Sequence, residues 1–173
     1  MKNKKIMLEK FFVKNQNGFS LIEMMVVVAI LGLIVLGLVT FFTGGAKSWV
    51  AGQSQLEAQR NARQAMDIMV REIREGNDIE SVSNATSVTI NYIASFGKNP
   101  VTYSLSDTTI SRDGSPIINN VQSLTFTYFN SSGNQVVPEN ASKVHIDLEV
   151  DVDKDSNPDI TLNTDVNLRN YGL

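Results

Sequence analysis

The chain has 173 residues, enough for one domain of ordinary size with an appendage. With 42% hydrophobic residues, 19% charged residues and a net charge of −3, it is neither a disordered chain nor a basic nucleic-acid binder. The absence of cysteine excludes a disulfide framework, a thiolate metal site and a thiol nucleophile, and one histidine, His145, leaves little material for zinc or imidazole chemistry.

These averages conceal a segregation along the chain. Residues 1–18 carry Lys2, Lys4, Lys5, Lys10 and Lys14 against Glu9, for +4, whereas residues 76–173 hold twelve acids and five bases, for −7. Between them, Glu23 is followed by sixteen residues, 24–39, without a polar side chain, and Phe41 and Phe42 extend the run past Thr40. As a helix, 19–42 would span about 36 Å at ~1.5 Å per residue, enough to cross a bilayer core. The preceding lysines predict that this end stays cytoplasmic while the remainder is translocated.

Three readings compete for the segment. A signal anchor needs only the lysines and the apolar run. A cleaved secretory signal would use Gly44-Gly45-Ala46 as its exit site, but the run before it is long and holds a charge near its start. The third reading explains that charge. Gly18-Phe19-Ser20-Leu21-Ile22-Glu23, between a basic leader and unbroken apolar residues, resembles the processing site of type IV pilins and type II secretion pseudopilins. The resemblance implies that a prepilin peptidase cuts between Gly18 and Phe19 and methylates the new amine of Phe19. It also implies that Glu23 meets the N-terminal amine of a neighbouring subunit during assembly. A carboxylate in hydrocarbon is costly unless paired, so such pairing would set the axial register. Many pilins carry a proline midway along this helix; here Gly32, Gly37 and Gly44-Gly45 are the positions where it could bend.

From residue 46 to 75 the pattern is an amphipathic helix. Trp49, Leu56, Ala62, Met66, Met69, Val70 and Ile73 form the apolar stripe, and Arg63, Asp67, Arg71 and Glu75 an i,i+4 ladder. Gly76-Asn77 supplies the stop. Beyond it the period changes to two. Val88, Ile90 and Tyr92; Val101, Tyr103 and Leu105; and Leu124, Phe126 and Tyr128 alternate with polar residues, as do 144–152 and 160–168. These are antiparallel strands with one face buried. Asp113-Gly114 marks a tight turn and Ser131-Ser132-Gly133-Asn134 a looser one.

The expected architecture is α+β and pilin-like: a long N-terminal helix, apolar in its first half and amphipathic in its second, packed on an antiparallel β-sheet domain. Its parts are a leader over 1–18, a transmembrane or filament-core helix over 19–43, an amphipathic helix over 44–75 and an acidic β domain over 76–173. The segments 60–74 and 166–170 resemble the PilW and GspJ groups of minor pilins and pseudopilins.

Many pilins close a C-terminal loop with a disulfide, which this chain cannot form. Asp151, Asp153, Asp155, Asn157 and Asp159 place oxygen side chains at every second position, a pattern that suits calcium with its six to eight oxygen ligands. It departs from an EF-hand, lacking the glycine and the distal glutamate. The other reading is a hairpin connection made of good turn residues. His145, on the polar face of its strand, reads as a solvent-facing residue.

No nucleophile–base pairing, phosphate loop, metalloprotease motif or dinucleotide fingerprint is present, so the chain does not read as an enzyme. The acidic β domain would repel a nucleic-acid backbone. The expected function is therefore a structural subunit, a minor pilin or pseudopilin, of a type IV pilus-like or type II secretion filament. The resemblance implies as partners the prepilin peptidase, an inner-membrane platform protein, a cytoplasmic assembly ATPase and other pilins. It implies a single-pass membrane location before assembly. The rival function is a membrane-anchored or secreted β-domain binding module that uses the N-terminus only for export.

Overall fold

The computed structural model describes residues 18–172. The leader expected over 1–18 therefore lies, apart from Gly18, outside the described residues. One helix, α1, runs Leu21–Glu75, and its helical hydrogen bonding continues through Gly32, Gly37, Gly44 and Gly45. The chain divides into two compact units at 48/49. In the first unit the apolar residues of α1 are exposed on every side. A helix that is apolar all round belongs inside a bilayer or a protein core. This one is long and apolar enough to cross a membrane by length and composition.

The second unit joins the later turns of α1 to eight strands. These are β1 (Asp78–Ile79), β2 (Ser87–Asn91), β3 (Val101–Ser106), β4 (Thr109–Arg112), β5 (Ser115–Ile118), β6 (Val121–Phe129), β7 (Lys143–Val150) and β8 (Ile160–Asn167). All neighbours pair antiparallel, but in two sheets rather than one: β1-β2-β3-β4-β5 and β6-β7-β8. The chain passes from one sheet to the other at Asn119-Asn120, where Asn120 takes a left-handed φ of 60°. Strand β6 is tied to the β1–β2 connection by hydrogen bonds from Phe126 N–H to Ala85 O at 2.7 Å and from the Tyr128 hydroxyl to Asn84 O at 2.9 Å.

The clearest alternation in the sequence becomes the longest ladder. Val144, Ile146, Leu148 and Val150 of β7 are fully buried and face Tyr128, Phe126, Leu124 and Val121 of β6. At the β4–β5 turn, Asp113 and Gly114 have φ of 50° and 77°, the left-handed pair that a tight hairpin requires. Strand β2 departs from simple alternation, with Val88, Thr89 and Ile90 all buried. Thr89 is accommodated because its hydroxyl lies 3.0 Å from that of Thr102 and its N–H donates to Ser83 Oγ at 2.9 Å.

Helix α1 contributes Ala62, Ala65, Met66, Met69 and Ile73 to the core. Trp49 and Leu56 do not join them; they remain 70% and 61% exposed. The buried stripe therefore begins at Ala62, beyond Leu56. At the helix end the C-terminal segment supplies donors for orphan carbonyls: Arg169 N–H to Arg74 O and Asn170 Nδ2 to Glu75 O, each at 2.9 Å. Glu75 turns from the anticipated ladder to pair with Lys98. That hydrogen bond, and then the charges of Lys98 and Arg71, hold the Glu75 carboxyl below its ordinary range.

The stop at Gly76 is enforced by packing. A Cβ at Gly76 would lie 2.6 Å from Ile90 Cγ2 and 3.0 Å from Ile73 O, both in the core. Gly76→Ala is therefore expected to destabilise the fold by about 1–3 kcal/mol through overpacking. A thermal melt unchanged from wild type would contradict this.

Candidate functional site

Gly18, Phe19 and Ser20 precede the helix and are exposed, with Phe19 at 78%. The first turn closes with Met24 N–H donating to Ser20 O at 3.2 Å. Glu23 lies in that first turn, exposed, where the positive end of the helix dipole favours a carboxylate. The peptide bond expected to be cut is thus outside regular structure and accessible. The carboxylate expected to be paired is one helical turn from the new amine. Immediately after it, the large side chains of 24–42 are exposed, and in water that surface would seek lipid or other protein.

In the β domain, the 151–159 loop draws together only part of the predicted ligand set. Carboxylate oxygens of Asp151, Asp153 and Asp159 lie within 4.8 Å of one another, whereas the Asp155 carboxylate is not in this group. Most of the loop's acceptors serve its own backbone. Asp151 accepts from Lys154 N–H at 2.7 Å and Ser156 N–H at 2.9 Å, and Asp159 accepts from Val152 N–H at 2.8 Å. Asp155 accepts from the N–H and side-chain amide of Asn157, which together hold its carboxyl below the usual range. Lys154 and Ser156 take left-handed φ of 63° and 72°. Such side-chain-to-backbone bonds are what Asp and Asn provide in turns, and they account for the alternation of oxygen side chains without a cation. Calcium titration of the full-length protein checks the cation reading. A rise in melting temperature is expected if calcium binds, and an unchanged melt leaves the loop as a turn.

His145 is less free than its place on the polar face suggested. Its Nδ1 lies 2.7 Å from Asp165 and its Nε2 3.0 Å from Asp147. The bond to His145, followed by the charge of Lys143, lowers the Asp165 carboxyl below its ordinary range.

A cluster that the sequence pattern passed over fixes α1 to the first sheet. Glu72, with 15% of its side chain exposed, receives Arg112 Nε at 3.1 Å and Nη2 at 3.0 Å, and also the Tyr103 hydroxyl. Burial first, and then the bond to Glu72, raise Tyr103 far above the usual tyrosine range. The available signal was a carboxylate between Met69 and Ile73 at the edge of the buried stripe, where an acid requires partners.

The chain matches the prokaryotic N-terminal methylation motif over residues 13–39. No curated protein matches it. Proteins with this motif are structural rather than enzymatic, and their precursors are processed by a prepilin peptidase. With this motif at its N-terminus and a long helix packed on antiparallel sheets, the chain has an α+β, pilin-like architecture.

Proposed function

We propose that the protein is a minor pilin or pseudopilin, a structural subunit of a type IV pilus-like or type II secretion filament. Prepilin peptidase cuts after Gly18 and methylates Phe19. The subunit is stored in the cytoplasmic membrane with the lysine leader inside, and is then extracted into the filament. There Glu23 pairs with the amine of a neighbouring Phe19, and the apolar part of α1 is covered by other subunits. The observation that carries this reading is the methylation motif over residues 13–39, which runs into the part of α1 whose apolar surface is exposed on all sides. The energy for extraction comes from an assembly ATPase and passes through an inner-membrane platform protein.

The test is fractionation of the native host. Sheared surface or periplasmic filaments should contain the protein, and deletion of the assembly ATPase should return it to the membrane. Recovery in the membrane alone in both strains would instead support the anchored binding module.

A further inference from the structure

Five arginines share one exposed surface of the β domain's helix. Arg60, Arg63, Arg71 and Arg74 lie within about 80° of one another around α1, opposite the buried stripe. Arg169 joins them at the end of the helix, through its backbone bond to Arg74, and the five line two adjoining grooves. All are exposed, and Asp67 lies among them. Among the described residues, no carboxylate comes within 4.0 Å of any of the five guanidinium groups. Glu75, which borders the second groove, is engaged by Lys98.

A face with five cations and two bordering carboxylates, Asp67 and Glu75, carries a net positive charge that suits an anionic partner, and this chain carries one of matching character. The 151–159 loop presents Asp151, Asp153, Asp155 and Asp159 with a single cation, Lys154. Desolvation, and after it the charges of Asp155, Asp159 and Asp151, raise the Asp153 carboxyl. The loop's height along α1 is fixed by Gln55, whose Nε2 donates to Asp159 Oδ1 at 3.0 Å. Gln55 is on the side of the helix that carries the buried stripe, whereas the arginines are on the other. Their centre, near residue 67, is about 18 Å further along the axis at ~1.5 Å per residue. Loop and arginine face are therefore displaced along the helix and turned to opposite sides, so they do not meet within one molecule. A second copy shifted along the axis by about that distance brings them together.

We propose that the arginine face of one copy docks onto the 151–159 loop of a second copy of this chain. The contact is heterologous, so it does not close on itself and can repeat along a helical array. Its biological role rests on the filament-subunit reading; its chemistry does not.

The absence of native cysteine makes the test direct. Two full-length copies with different tags, one Arg71→Cys and the other Asp155→Cys, are co-expressed in membranes and oxidised. The expected product is a dimer containing both tags, about fivefold or more above either variant expressed alone. It should be depleted at about 0.5 M salt, where the screening length falls to about 4 Å. Adding Arg63→Glu to the first copy should suppress the dimer, and Asp153→Lys in the second should restore part of it. Absence of the mixed dimer, equal yield from one variant alone, or indifference to both salt and charge reversal would overturn the proposal. Arginine-dependent capture of duplex DNA that abolishes the crosslink would also overturn it, by assigning the face to nucleic acid. Filament fractions separate the two readings. A crosslink without filaments supports the contact and removes the filament role. Normal filament entry of an Arg63→Glu, Arg71→Glu variant removes the contact's role in the filament and leaves the filament reading standing.

Discussion

Glu72→Ala should lower the stability of the β domain by about 3 kcal/mol, the largest loss expected from any single exposed or half-buried side chain in it. The substitution removes a two-point bond from Arg112 and the acceptor of the Tyr103 hydroxyl at once. Tyr103 is fully buried and would keep an unsatisfied donor, while Arg112 retains Asp113 at 3.3 Å and contact with solvent. Most of the loss should therefore come from the tyrosine end. Tyr103→Phe, which removes the donor along with the bond, should cost only about 1 kcal/mol. The double variant should be less destabilised than the two losses added, because both report on one network. Thermal melts of the full-length protein in detergent check this, with a fall of about 10 °C expected for Glu72→Ala. A change within about 0.5 kcal/mol, the range of neutral surface substitutions, would show that the cluster does not brace the helix.

The buried and half-buried tyrosines give the pH dependence a sign. Burial raises Tyr103 and Tyr128 and, aided by Glu72 and Glu75, pushes Tyr92 up to about 12. In the unfolded chain these hydroxyls ionise near about pH 10, while the folded protein keeps them protonated. Their contribution is complete below that value and is lost as pH rises through the folded values. The melting temperature should accordingly decline on the alkaline side.

Glu23→Leu should leave processing intact and abolish assembly. The leucine suits hydrocarbon better than a carboxylate, so membrane storage is not impaired. In the filament, however, the amine of the neighbouring Phe19 would lose its counter-charge in an apolar core. Removing one partner of a buried ion pair costs about 3–5 kcal/mol, which corresponds to a loss of a hundredfold or more in subunit association. Quantifying the variant in sheared filaments, against its membrane pool, measures this. Incorporation at the wild-type level would remove the register role of Glu23.

The sequence exposed the elements that repeat a period and concealed those that depend on neighbours. Strands β3, β6, β7 and β8 alternate over enough residues for their buried faces to be read directly. Strands β1, β4 and β5 are two to four residues long, and β5 contains Pro116, so no period develops. Alternation also reports which face of a strand is buried, not which strand lies beside it. The division into two sheets at Asn120 was accordingly not legible. Trp49 and Leu56 continue the helical stripe in sequence, but the core they would enter does not extend that far. Glu72 was passed over because a search for apolar spacing counts a carboxylate as surface. In the 151–159 loop, residue types suggested five ligands, while the turn geometry gathers three of the four carboxylates and engages oxygens with backbone donors.

The N-terminal segment was the most legible part because its signal is chemical rather than positional. A charge at Glu23 inside an apolar run, and a glycine before Phe19, have few physical readings. Intact mass and terminal sequencing of the protein from its native host test those readings directly. A mature chain that begins with N-methylated Phe19, and lacks residues 1–18, is the expected result. A chain beginning at Lys47, or an uncut chain retaining Met1, would contradict it.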